Sequence, residues 1–348
     1  MFALLHPVSI REGLFRSNIG DARFATSPMA IFEENGVWNH KKFERAVICM
    51  EEHSLVRFSR QSGDEIVVLL HWMVSEWLRL RLDKSTLSTS LKMAALHLQN
   101  YVGSMELDHK YGQEALLHMD SICRIGEGES DGFLDIYFTF GRFYAKHGRL
   151  EDAERMYDRA LDGYEAALGA DHHFALDTVN NLGLLYVDQG RLADAERMYE
   201  RALAGKERAL GRDHTSTLDT IHNLGSLYRN QGRLVDAERM YQHALAGYEK
   251  AVGIDHSSTL RTVNNLGLLY VNQGRLTDAE RMYERALAGK EKPLGHDHIS
   301  TLDIHNLGNL YRNQGRLADA ERTYQDALPR YEKASGADHS STLKQCCH

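Results

Sequence analysis

Proline is scarce in this chain. Four occur in 348 residues, two of them (Pro7 and Pro28) near the start, so long stretches are free to run as uninterrupted helix. Cysteine is as rare: Cys49 and Cys123 stand alone, Cys346 and Cys347 are neighbours, and no Cys-x-x-Cys pair occurs. Four such thiols make neither a disulfide framework nor a metal-type cysteine spacing, and a reducing, cytoplasmic compartment is the expectation. Positive charge is in deficit, 41 Lys and Arg against 49 Asp and Glu for a net −8, which argues against nucleic acid or an anionic membrane as partner. No apolar run approaches the roughly 18 residues of a membrane span. The nearest, Ile66 to Val74, is interrupted by His71, and Met1 to Pro7 has no basic segment of the kind that opens a signal peptide. What remains is 43% hydrophobic and 26% charged, a globular composition with length for two or three domains.

What the chain has in abundance is repetition. Asn-Leu-Gly-x-Leu-Tyr occurs at Asn181, Asn223, Asn265 and Asn306, with a looser copy around Gly141. The glycines at 141, 183, 225, 267 and 308 are 42, 42, 42 and 41 residues apart. Gly-Arg-Leu-x-Asp-Ala-Glu-Arg follows each time, from Gly148, Gly190, Gly232, Gly274 and Gly315, and Gly-x-Asp-His closes each unit. Within a unit the apolar residues keep helical spacing: Val179, Leu182, Gly183 and Tyr186 share one face, and Leu192, Ala195, Tyr199, Ala202 and Leu203 another beyond the Gln189-Gly190 break. The unit is therefore helix, short turn, helix. Gly183 lies inside the first helix, where glycine costs about 1 kcal/mol relative to alanine. A close approach of the second helix, with Ala195 and Ala202 facing it, is the expected compensation.

These residues resemble the tetratricopeptide repeat. Val179-x2-Leu182-Gly183-x2-Tyr186, then Ala195-x3-Tyr199, then Ala202, has that family's spacing, with valine for the frequent tryptophan and tyrosine for phenylalanine. Glu207 stands where the usual proline would end the second helix, so that helix is expected to run on to about Leu210. The 42-residue unit with its Leu-Gly-x-Asp-His linker is similar to the repeats of kinesin light chains and of many fungal multidomain proteins. The resemblance covers 131–343 as five units with a sixth truncated, and it implies a mainly α fold, an α-solenoid. Residues 177–218 and 261–302 differ at only seven positions, the mark of a duplicated pair of repeats. The last copy lacks one residue before Ile304, outside its Ile304-Leu307-Gly308-Tyr311 stripe, so its register should survive. The Ser340-to-Lys344 start of another helix gives way to Gln345-Cys346-Cys347-His348; without a polar cap, this end is expected to fray or to self-associate.

The first 130 residues carry no repeat. Lys41 to Met50 is helical in period, Val56–Arg60 and Glu65–Leu69 form a hairpin around Gln61-Ser62-Gly63-Asp64, and His71 to Leu82 is helical again. Helix, hairpin, helix suggests a small winged-helix-like α+β domain over 1–82. Leu70 to Leu82 resembles the segment that precedes the repeats in fungal NB-ARC/tetratricopeptide proteins of the signal-transducing ATPase class, with Trp72 in place of a proline, and Phe2 to Phe15 resembles the start of the domain after their nucleotide-binding core. Residues 83–130 are expected to be a helical connector or a degenerate repeat. The P-loop of that class is missing, since Gly205-Lys206 and Gly289-Lys290 are followed by glutamate and have no glycine five residues earlier.

No motif singles out catalytic chemistry, so a non-enzyme without cofactor or metal is expected. The Asp-His pairs beginning at Asp171, Asp213, Asp255, Asp297 and Asp338 lie too far apart for one zinc ion and read better as linker turns and helix caps. The family resemblance places the first helices on a concave groove, where residues after the core Val or Ile would face a ligand: Asn180, Leu184, Val187; His222, Ser226, Arg229; Asn264, Leu268, Val271; His305, Asn309, Arg312. Asn181, Asn223, Asn265 and Asn306 recur beside them. An asparagine offers donor and acceptor together, which suits clamping a peptide backbone; the other reading is that these asparagines bridge adjacent helices. The expected function is a scaffold binding a protein or peptide in this groove. Its rivals are a sensor portion of an NLR-like ATPase lacking its nucleotide-binding core, and a kinesin light chain cargo adaptor, which the absence of an N-terminal heptad pattern disfavours.

Overall fold

The computed structural model describes residues 5, 10–12, 14, 29, 32–34, 37–53, 55–60, 66–70, 84–104, 109–125, 133–294 and 301–325. The chain divides into two compact units, Met1–Leu168 and Gly169–His348. The expected helix over 71–82 and the terminal segment from Ser340 lie outside the described residues.

The first unit opens with β1 (Ile10–Arg11), β2 (Glu33–Glu34), β3 (Val37–Trp38), α1 (His40–Glu52), β4 (Val56–Arg60) and β5 (Ile66–Leu70). The hairpin forms one residue later on its return strand than the sequence suggests, pairing Val56 with Leu70 and Arg60 with Ile66. The sequence pattern does not show β1, which is two residues long and pairs with β5 to give an antiparallel sheet ordered β1-β5-β4. Asn39 caps α1 by accepting from the Lys42 amide, and Phe43 packs edge-on to Phe32, with ring centroids 5.3 Å apart. Beside them the buried Glu12 accepts from the Trp38 indole and lies 2.8 Å from His40 Nδ1. Arg11, also buried, donates Nη2 to Glu114 at 2.8 Å, tying the sheet to the helices that follow.

Those helices are α2 (Lys84–Ser104), α3 (His109–Ile125), α4 (Leu134–Lys146) and α5 (Leu150–Leu168). The second unit continues with α6 (His173–Asp188), α7 (Leu192–Leu210), α8 (Thr215–Asn230), α9 (Leu234–Ala251), α10 (Ser257–Asn272), α11 (Leu276–Leu294) and α12 (Thr301–Asn313). A further helix, α13, is described over 317–325. The fold is mainly α, a solenoid of helical hairpins, with a few strands confined to the N-terminal region.

Each hairpin turns on a glycine that a side chain would strain. Gly190 has φ +74°, and its neighbour Arg191 returns its amide to Tyr186 O at 2.8 Å, closing the helix with a left-handed residue. The next helix is capped by the linker histidine: His214 Nδ1 accepts from the Ser216 amide at 3.2 Å and His256 Nδ1 from that of Ser258 at 3.2 Å. The histidines of these linker pairs are thus helix caps, while Asp213 pairs with Lys250 Nζ at 2.7 Å. The buried core of the second unit runs through Leu224, Leu227, Leu266 and Leu269 of the first helices and Ala195, Tyr199, Tyr241 and Tyr283 of the second. In α12, Leu307, Leu310 and Tyr311 stay buried, so the missing residue left the register intact.

The mid-helix glycines answer to a different partner from the one expected. A Cβ at Gly183 would stand 2.6 Å from the Tyr199 ring, and one at Gly267 2.6 Å from Tyr283, so the flat tyrosine rather than Ala195 or Ala202 presses on the backbone. Alanine there gains helix propensity but must displace a buried ring. Gly183→Ala should therefore lower stability by about 1–3 kcal/mol, measured by urea denaturation, and adding Tyr199→Leu should recover part of that loss.

Candidate functional site

Successive hairpins of the second unit are joined along two lines. One follows the start of each second helix. The Arg233 guanidinium lies 4.0 Å over the Tyr228 ring, donates Nε to Asp236 at 3.0 Å and Nη1 to Glu196 of the preceding hairpin at 2.7 Å. Arg275 repeats this on Tyr270, Asp278 and Glu238, and Arg316 on Tyr311, Asp319 and Glu280. Burial works to raise the Glu196, Glu238 and Glu280 carboxyls, yet the Gln and Arg donors of the next hairpin hold all three below the usual glutamate range. Within the first unit, Arg149 reaches Asp120 of α3 and Asp152 in the same way. Sequence reasoning missed this ladder. Its signal was present as a Gln-Gly-Arg turn recurring one unit after each Asp-Ala-Glu.

The second line joins the first helices. Asn180 Oδ1 takes Thr220 Oγ1 at 3.1 Å and Asn223 Nδ2 at 3.2 Å, both from the next hairpin. Asn264 Oδ1 takes Asn306 Nδ2 at 3.1 Å. Between them stands His222, whose Nε2 accepts from Asn265 Nδ2 at 3.0 Å. Its other nitrogen must then carry the proton, donating to Thr262 Oγ1 at 3.0 Å, and that hydroxyl donates onward to Ser258 O at 2.9 Å. Asn180, His222 and Asn264 are only 9%, 4% and 7% exposed. Their side-chain atoms serve contacts between hairpins, and Asn223, Asn265 and Asn306 bridge adjacent helices. Asn181 instead bonds its own helix at Asp177 O. Another residue missed in the sequence is Lys206, buried inside α7 with its ammonium 2.7 Å from Asp177 Oδ1, where Tyr248 in the next hairpin bonds Asp219 at 2.5 Å.

Consecutive first helices of the second unit touch one another, so their outward side chains form one continuous face. The residues left accessible there lie one and two turns beyond the buried polar line, together with His305, which stands on that line in α12. Leu184 is 42% exposed; Val187, Ser226, Arg229, Leu268, Val271, His305 and Asn309 are half-buried, and Arg312 is exposed. The tyrosines of the second helices lie beneath: the Tyr241 hydroxyl is 2.9 Å from Ser226 Oγ, and the Tyr324 hydroxyl donates to Asn309 Oδ1 at 2.8 Å. Of the candidate residues, then, the structure gathers Arg229, His305, Asn309 and Arg312 on an accessible face and sinks Asn180, His222 and Asn264 beneath it. Among the described residues no three His, Cys, Asp or Glu side chains come together as a metal site, and no helix is long and apolar enough to cross a membrane.

Models described as tetratricopeptide repeat match residues 133–208, 178–250, 216–292 and 304–341. Among solved structures, nearly identical TPR-like repeats of kinesin-light-chain type from Podosopora anserina are 22% identical, with a TM-score of 0.50 over 58% of this chain and 96% of that one. BtubC (BKLC) from P. vanneervenii is 19% identical, with a TM-score of 0.50 over 74% of this chain and 91% of that one. Aspartyl phosphate phosphatase F from Bacillus subtilis is 13% identical, with a TM-score of 0.55 over 76% and 79%. At these identities the likeness is one of fold. A comparison with curated protein sequences found no match.

The buried histidine makes stability depend on pH in a defined direction. Burial, with Arg261 and Arg229 adding to it, pushes His222 down from 6.5 to about 3. The unfolded chain therefore binds a proton that the folded chain refuses, and stability falls as pH drops from about 6.5 toward about 3. His222→Asn, which copies Asn180 and Asn264, should flatten that part of the profile in denaturation series at stepped pH. The remaining slope should include His97, held at about 4 by burial in the first unit.

Proposed function

The chain belongs to the tetratricopeptide repeat family, and from that premise we propose that it is a non-enzymatic scaffold. It holds a peptide or protein segment along the first-helix face of α6, α8, α10 and α12. The observation carrying this reading is the row of accessible apolar side chains, Leu184, Val187, Leu268 and Val271, interleaved with Ser226, Arg229, Asn309 and Arg312. Such a mixed face gains by covering its apolar area, while its polar groups fix the ligand's orientation. Asn180, His222 and Asn264 then contribute by holding the first helices in register, and Asn181, Asn223, Asn265, Asn306 and His305 lie beside the same face.

A second reading draws on the N-terminal region. The α1 helix followed by the β4–β5 hairpin supports a winged-helix-like domain over 1–82, joined by 83–130 to repeats over 131–343. On that reading the array is the sensor portion of an NLR-like assembly, and the same face receives its ligand.

The test is a random peptide array probed with the purified chain. Leu184→Glu with Leu268→Glu should cut the bound signal at least about tenfold, because each buries a charge under the ligand. Val235→Glu, on a second-helix side chain 81% exposed, should leave the signal unchanged. All variants should keep the parent helical circular dichroism. Equal binding by the double variant would overturn the groove.

A further inference from the structure

The buried line that joins the first helices is the same device at each joint except in one respect. Between α6 and α8, Asn180 takes Thr220 and Asn223, 40 and 43 residues ahead. Between α8 and α10, His222 binds Thr262 and Asn265 at the same offsets of 40 and 43 residues. Between α10 and α12, Asn264 takes Asn306. An asparagine keeps its donor and its acceptor at any pH a folded protein meets. An imidazole that takes a proton trades its acceptor for a second donor. Of these three joints, the middle one turns on a group that titrates.

Protonation of His222 at Nε2 sets two donors face to face, since the Asn265 amide lies 3.0 Å away. Turning that amide end for end restores a hydrogen bond but leaves a charge on a side chain only 4% exposed. The neighbours are ill suited to receive it. On its own helix stands Arg229, whose Nη1 is buried with no hydrogen-bond partner. From α10 comes Arg261, which pairs with Asp219 of α8 at 3.1 Å, and Tyr248 of α9 bonds the same carboxylate at 2.5 Å. The Tyr241 ring of α9 meets the imidazole edge-on, centroids 5.4 Å apart, with its hydroxyl engaged by Ser226. On the other side α6 offers the neutral Asn180, while its Asp177 is held by Lys206 at 2.7 Å. Burial, with both arginines adding to it, therefore holds the imidazole at about 3.

Other links across this joint are carboxylate–arginine pairs: Glu238 with Arg275, Glu249 with Arg285 and Asp219 with Arg261. Burial works to raise Glu238, yet Gln273 and Arg275 hold it below the usual glutamate range. That pair stays charged at a pH where a freed His222 already takes a proton.

We propose that the joint between α8 and α10 is an acid-operated release: on acidification the hairpins from α10 onward come away from α8 and α9 as a block, while α6 to α9 stay together. The driving force is linkage, because the freed imidazole titrates at the ordinary 6.5 and the closed joint refuses the proton down to about 3. The open form therefore gains close to a hundredfold in population from about pH 7.5 to about pH 4.5, and loses it as pH rises again. A released pair of hairpins has no distant contact to hold it, so its helices lose protection together. The release is independent of the groove reading, since it acts through contacts buried beneath that face.

Hydrogen exchange of the full chain tests this, read by mass spectrometry at stepped pH and corrected for the pH dependence of intrinsic exchange. Over that acid range, peptides from α10 and α11 should lose protection about a hundredfold, and those from α6 and α7 should keep theirs. His222→Asn, which copies the joints on either side, should shrink the loss at least about tenfold. Asn180→His places an imidazole opposite Thr220 and Asn223, at the offsets of the natural set, and should bring α8 and α9 into the released block. Protection that falls evenly along the array would overturn the joint. So would a His222→Asn variant that loses α10 protection in acid as the parent does. If that variant fails to keep the parent helical circular dichroism, Asn180→His decides, and α8 and α9 protection unchanged in acid would overturn the proposal.

Discussion

Each hairpin is built around a tyrosine ring lying against the backbone of a glycine. Gly183 with Tyr199, Gly225 with Tyr241, Gly267 with Tyr283 and Gly308 with Tyr324 are the same contact repeated, and a single added methyl would overlap the ring in every one. The glycine sacrifices helix propensity so that the two helices can close on a wide, flat side chain. That closeness brings the tyrosine hydroxyl under the first-helix face, where Tyr241 meets Ser226 and Tyr324 meets Asn309. The accessible face therefore owes its polar floor to a packing contact.

The two lines joining neighbouring hairpins divide the labour. The Arg–Tyr–Glu ladder is half-exposed, where single ion pairs contribute little, but three of them recur with the same stacked geometry in the second unit. The line through Asn180, His222 and Asn264 is buried, where an unmade hydrogen bond is costly, and it sets the register of the first helices. A solenoid whose units touch only their neighbours depends on such links, because no distant contact fixes its curvature.

Much of this was legible in the residues. The period of 42 and the face of Val179, Leu182 and Tyr186 gave both helices and their turn, and the extension of α7 to Leu210 follows from the missing proline. The capping role of the Asp-His linkers could be reasoned from the distance between units. What escaped were relations across units. Helical period places Asn180 on the groove side but does not say whether its carbonyl meets solvent or Thr220. Small residues permit close approach, which points from sequence to Ala195 and Ala202 as partners of Gly183, but a flat ring permits it too, and Tyr199 fills the place. The β1 strand, two residues long, has no periodicity to detect, since its pairing with β5 comes from tertiary structure alone.

The near-identity of 177–218 and 261–302 has a consequence for how the array assembles. A hairpin can recognise its neighbour only through residues that differ between copies, and those that differ most visibly follow an odd–even rhythm: asparagine or histidine on the buried line, lysine or tyrosine at the Lys206 and Tyr248 position. A slip of one unit sets histidine where asparagine belongs and is opposed by the chemistry. A slip of two units meets almost the same surface, so the energy gap against that misalignment, or against exchange of hairpins between two chains, rests on very few side chains.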